Sequence, residues 1–82
     1  MKLSVYSLKK TLFEGDAKSV NCKTAVGEIT ILDHHKPLIS MLTPGVTTIV
    51  DENDRKHFAN IQSGFLKVQE HNRVTLLIDE AV

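Results

Sequence analysis

Asp33, His34 and His35 stand in a row, and carboxylate beside imidazole is the first place to look for metal or acid–base chemistry. Adjacent side chains of an extended chain point to opposite faces. Two neighbouring histidines therefore chelate poorly, and a metal here would need ligands brought from elsewhere. His57 and His71 lie on or beside separate hairpins, and no HxH or HExxH spacing occurs. The four histidines read as loop or contact residues, and no metal ligand is assigned.

Cys22 could act as a nucleophile only with a general base beside it. It sits in an alternating stretch, where a free cysteine behaves as a small hydrophobe. Asp51-Glu52-Asn53-Asp54 has the acidity of a calcium loop but lacks its glycine and later glutamate. Arg55 follows directly, so the segment reads as a solvated hairpin tip. The four glycines are scattered singly, which excludes a glycine-rich phosphate cradle. No catalytic residue and no cofactor site is expected.

The elements that would carry any function are short and extended. Lys2–Ser7 alternates Leu3 and Val5 with polar neighbours, the period of a half-buried strand. Further strands are expected at 17–24, 28–32, 38–42, 46–50, 56–61, 65–68 and 74–78. Breaks are expected at Glu14-Gly15-Asp16, Gly27, Asp33–Pro37, Thr43-Pro44-Gly45, Asp51–Asp54, Ser63-Gly64 and Glu70-His71-Asn72. Turn signals every eight to twelve residues point to an all-β sandwich or flattened barrel. The end, Asp79-Glu80-Ala81-Val82, gives only a hint of helix.

The expected core is Leu3, Val5, Phe13, Val20, Ile29, Ile31, Leu42, Val46, Ile49, Phe58, Phe65, Val68, Val74, Leu76 and Ile78. Phe65 and Leu66 fall on opposite faces of their strand. Ile39-Ser40-Met41-Leu42 puts apolar groups on both faces. Such a strand is either buried on both sides or a contact strand.

The 82 residues make one domain, spanning 1–82, with room for a core but not for a core and a deep cavity. Ten basic residues balance ten acidic ones, so no broad positive field supports nucleic-acid binding. The aromatics available for base stacking are Tyr6 and three phenylalanines that read as buried. One cysteine allows no internal disulfide and fits a reducing compartment. The N-terminus does not read as a signal peptide. No apolar run approaches the ~20 residues of a membrane span, so membrane association is expected only through a partner.

Four blocks then occur in a recognisable order. They are Leu12-Phe13-Glu14-Gly15; Gly27-Glu28 with Leu32, His35-Lys36-Pro37-Leu38 and Leu42-Thr43-Pro44-Gly45; Ser63–Val68; and Val74–Ala81. Together they resemble the ε subunit family of F-type ATP synthase, called δ in mitochondria. The resemblance implies a ten-stranded flattened β-sandwich in the central rotor stalk. It implies two partners, the γ subunit and the c-ring of the membrane sector, with the α/β assembly of F1 reached indirectly. It implies no chemistry of its own, no direct membrane insertion, and a place on the F1 side of the membrane (the cytoplasmic face of the inner membrane in a bacterium). By resemblance Glu28 faces the c-ring, and Ser7, His35, Pro37, Leu38 and Ser40 belong to the surface facing γ. The alternative is a β-sandwich interaction domain unrelated to ATP synthase.

Two departures stand out. The family usually has Pro and Gly between the equivalents of Leu32 and His35, where this chain has Asp33 and His34. Thr30 occupies a position where a second glycine often follows the Gly-Glu pair. The family also usually continues into a C-terminal helical hairpin that can inhibit ATP hydrolysis. The hairpin is absent from this sequence, which stops at Val82, either naturally or because it was removed.

Overall fold

The computed structural model describes residues 1–81, and Val82 lies outside the described residues. Seven strands make up the fold: β1 (Lys2–Ser7), β2 (Thr11–Thr24), β3 (Gly27–Leu32), β4 (Leu38–Leu42), β5 (Gly45–Asp51), β6 (Lys56–Gln69) and β7 (Arg73–Glu80). The all-β expectation holds. The hint of helix at the end does not, because Asp79 and Glu80 continue β7.

Five strands close a ring. β1 pairs in parallel with β7, and antiparallel pairs then link β7 to β6, β6 to β5, β5 to β2 and β2 back to β1. β3 folds back on β2 as a hairpin and pairs with nothing else. β4 lies along β6 and touches β2 only at Thr24–Leu42.

Seven strands stand where the resemblance implies ten, and two of them, of 14 residues each, pass straight through expected breaks. The first half of β2 pairs with β1 and the second with β3 and β5. β6 divides its pairing in the same way between β5 and β4. Each long strand carries extra residues where the pairing register shifts, Leu12 against β1 and Lys18 against β5 in β2, and Gln62 against β7 in β6. Such a bulge bends the strand and switches which side chains face inward. Ala59 and Ile61 face in before Gln62, whereas Leu66 and Val68 face in after it.

Ser63-Gly64 is thus a bend and not a stop. Gly64 has φ +155°, and a Cβ there would lie 2.3 Å from the carbonyl oxygen of Leu77 and 2.9 Å from the Ile78 Cα. Only glycine lets β7 approach this closely.

The bulges also explain the core. Leu3, Val5, Val20, Ile31, Leu42, Ile49, Val68, Val74, Leu76 and Ile78 are buried as expected, and Phe13 and Ile29 pack half-buried against them. Val46, Phe58 and Phe65 are exposed. Their places are taken by Met1, Ala17, Cys22, Ile61 and Leu66. In β5, Thr47 and Ile49 face in, so Val46 must face out. Phe58 and Phe65 lie on the outward side before and after the β6 bulge. The expectation of three buried phenylalanines is therefore corrected: two are at the surface.

Candidate functional site

The residues with chemical potential are engaged in structure. Cys22 is fully buried, and burial pushes its thiol up to about 11. A buried neutral thiol is a poor nucleophile. The Asp33 carboxylate accepts hydrogen bonds from the Met1 α-amino group and, at 3.3 Å, from Asn72 Nδ2. The His35 Nδ1–H donates to the Lys36 carbonyl at 2.8 Å. No group of three His, Cys, Asp or Glu among the described residues is placed to hold a metal ion.

One pair escaped the sequence reading. His57 Nε2 donates to Asp51 Oδ2 at 2.8 Å, and the ring meets Phe13 edge-on at 5.1 Å between centroids. Asp51 also accepts the backbone N–H groups of Asn53 and Arg55. This carboxylate binds together the β5–β6 hairpin.

The surface carries the stronger feature. On the outer face of the β4–β6–β7–β1 sheet, Met41 pairs with Phe65, Phe65 with Leu77, and Leu77 with Tyr6. Strands lie about 4.8 Å apart, so this row of four spans about 14 Å. Ile39 extends it along β4. Ile39, Met41, Phe65 and Leu77 are 51–71% exposed. The next row, Lys67, Thr75 and Ser4, is polar, and Ser63 and Asp79 edge the opposite side. The row is an apolar centre with a polar rim, on a sheet clamped by neighbouring strands, an anatomy that protein-contact patches share.

A second feature lies at one end of the sandwich. Thr24, Leu42, Gly64, Ile78 and Ser7 form one transverse line of paired residues. The β2–β3 turn projects at this end with Val26 exposed, and so does the β1–β2 turn with Leu8 exposed. The Thr24 hydroxyl donates to the Gly27 carbonyl at 2.6 Å and accepts the Val26 N–H, fixing the first turn. The Ser7 hydroxyl accepts the N–H groups of Lys9 and Lys10, fixing the second. Glu28 sits beside the first turn, with its carboxylate 3.7 Å from the Lys23 ammonium on the facing strand.

The family model for the delta/epsilon chain of ATP synthase, beta-sandwich domain, matches residues 1–82. The chain belongs to this family. It is 39% identical over 80 residues to the ATP synthase epsilon chain of Clostridium perfringens, covering 98% of this chain and 59% of that one. To the epsilon chain of Protochlamydia amoebophila it is 36% identical over 77 residues, covering 94% and 52%. The fold matches a chain in the Euglena gracilis mitochondrial ATP synthase OSCP/F1/c-ring structure, with a TM-score of 0.91 and 23% identity over all of this chain and 52% of that one. It also matches a chain in the Tetrahymena thermophila mitochondrial ATP synthase central stalk/c-ring structure, with a TM-score of 0.83 and 14% identity over 98% and 63%. This delta/epsilon-type domain spans between half and three fifths of the curated relatives it matches.

Within the delta/epsilon-type domain the expected site residues separate into three places. His35, Pro37 and Leu38 sit together around the loop after β3, beside the Glu70–Asn72 turn. Ser7 lies at the other end of the sheet, on the transverse line that leads to the turn bearing Glu28. Ser40 shares the inward side of β4 with Leu38 and Leu42 and is half-buried. The row Met41–Phe65–Leu77–Tyr6 was not assembled from sequence. Its one visible signal was the two-sided strand Ile39–Leu42, and the structure shows that strand buried on one face only, with Ile39 and Met41 exposed on the other. Phe65 carried no such signal, because the bulge at Gln62 offsets the alternation that leads up to it.

Proposed function

We propose that this domain works as a rotor-stalk adaptor in an F-type ATP synthase, joining the γ subunit to the c-ring without performing a chemical step. The observation that carries the reading is the apolar row across four strands, in a chain that belongs to the delta/epsilon family. Such a surface offers γ a packed contact, with Tyr6, Met41, Phe65 and Leu77 as the desolvated centre. His35, Pro37 and Leu38 lie at one margin of the same sheet. The end bearing Val26, Glu28 and Leu8 is the counterpart for the polar loops of the c-ring.

The fold suits the task. Five strands hydrogen-bonded into a ring around a packed core resist deformation, and a load applied at one end reaches the other with little loss. No helix among the described residues is long and apolar enough to cross a membrane. The adaptor stands at the membrane through the c-ring, on the F1 side, and meets the α/β assembly only through γ. No residue in this reading is catalytic, and no cofactor is required.

The test is co-purification. The folded chain, mixed with its own γ subunit, is expected to elute as a stoichiometric complex that Phe65→Glu abolishes. A folded chain that never associates with γ defeats the assignment.

A further inference from the structure

The apolar row on the outer face has a definite length and width, and both bear on what covers it. Met41, Phe65, Leu77 and Tyr6 stand in register on β4, β6, β7 and β1. They are spaced about 4.8 Å apart along a line that crosses the strands. Apolar residues at i, i+3, i+7 and i+10 of an α-helix advance about 4.5–6 Å per step, from a rise of about 1.5 Å per residue. Four such positions cover about 15 Å, against about 14 Å for the row. A helix laid across the strands meets one residue of the row with each turn.

The width fits the same object. The polar rows on either side lie two residues further along each strand, about 7 Å from the centre line. Ile39 widens the stripe only at its β4 end. A helix with its side chains is about 10–12 Å across, so one helix fills the space between the rims. A second sheet packed face to face needs a broader apolar surface than one row. A strand added to the β4 edge would use the backbone at that edge and leave the row uncovered. The rims also differ in charge. Lys67 is exposed on one side and Asp79 on the other, and neither forms an ion pair among the described residues.

We propose that the row is the seat of an amphipathic α-helix of γ, about three turns long, lying across β4, β6, β7 and β1. Its apolar stripe packs on Met41, Phe65, Leu77 and Tyr6. An acidic residue on one flank of the helix faces Lys67, and a basic residue on the other flank faces Asp79. Turning the helix end for end would set like charges against each other, so the rims select one of its two directions. This rests on the reading of the row as the γ contact and adds the shape and charge pattern of the occupant.

The test is photocrosslinking in the complex of the full chain with its own γ subunit. A benzophenone side chain replaces Met41 in one preparation and Tyr6 in another, and mass spectrometry locates the γ residue that each one reaches. Both cross-links are expected in one γ segment, about 10 residues apart, because a helix takes that many to cover the row. A separation of about 4 residues means an extended strand, and cross-links to unconnected segments mean a composite surface; either result overturns the helix. Cross-links to a second copy of this chain overturn γ as the occupant. Lys67→Glu and Asp79→Lys are each expected to weaken γ binding about fivefold at low salt and less at high salt. Unchanged affinity in both overturns the charge pattern. A complex that forms normally but gives no cross-link from either position removes γ from the row and leaves the adaptor reading standing. A chain that does not bind γ at all defeats the adaptor reading, and this inference with it.

Discussion

Asp51 and His57 face each other across the base of the β5–β6 hairpin at 2.8 Å. The hydrogen bond from His57 holds the Asp51 carboxyl below its ordinary value, and the N–H groups of Arg55 and Asn53 add to it. A carboxylate lowered in the folded state contributes stability above its unfolded pKa and loses it as pH falls through the folded value. The thermal midpoint of the wild type is therefore expected to exceed that of Asp51→Asn at neutral pH. The gap should begin to shrink below about pH 4, where an unperturbed aspartate protonates, and close only as pH falls through the lower folded value. Differential scanning at a series of pH values checks this, and a gap independent of pH contradicts it.

Gly64 offers a sharper structural test. Gly64→Ala places a Cβ against the Leu77 carbonyl, a backbone atom that cannot swing away. The expected loss is about 3 kcal/mol in urea unfolding, from strained φ and overpacking combined. Gly15→Ala is the control. Its φ is similar at +153°, but nothing lies within 4 Å, so the expected loss is about 1 kcal/mol. Equal losses would mean that the close approach of β7 is unimportant.

Two neighbouring residues separate stability from binding. Leu66 is fully buried and Phe65 is half-exposed beside it. Leu66→Ala is expected to cost about 2–4 kcal/mol of stability. Phe65→Glu is expected to change stability by less than about 0.5 kcal/mol while weakening γ binding about 100-fold, since a charge in an apolar interface centre is left without solvent. Calorimetric unfolding and a γ titration on the same preparations read both effects.

At the opposite end, the Glu28 carboxylate shares its charge with Lys23 on an exposed surface. Such pairs contribute about 0–1 kcal/mol. Glu28→Ala should leave the fold intact and reduce coupling of ATP hydrolysis to proton pumping in reconstituted vesicles. Val26→Asp should reduce it further, because Val26 stands at the tip of the turn. Full coupling in both variants would remove this end from the c-ring contact.

Much of the fold was legible because the signals that specify it are local. Leu3 and Val5 alternate with polar residues, and the strand they predict is there with the same bounds. Pro37 and Thr43-Pro44 mark real loops for the backbone reasons that govern proline. Gly15 and Gly64 misled, since a glycine that ends a strand and one that bends it look identical in sequence. The difference lies in what passes overhead, and Leu77 is 13 residues from Gly64. Phe65 was misplaced for a related reason: hydrophobicity chose between two faces that only register can assign. The Met1–Asp33–Asn72 chain joins three distant segments, and no spacing rule announces it. The candidate surface was half legible, through Ile39 and Met41, and its other half waited on the pairing of β6 with β7 and β1.

The extra residue at Gln62 has a genetic corollary. Substituting this exposed side chain should be harmless. Losing its codon would put Ile61, Gly64, Leu66 and Val68 in unbroken inward alternation, with Ser63, Phe65 and Lys67 still outward. What such a deletion removes is the bend by which β6 leaves β5 for β4. The position therefore sets the direction of the strand and not the sidedness of its residues, and a straightened β6 would strain the closure of the sheet while its core residues kept their faces.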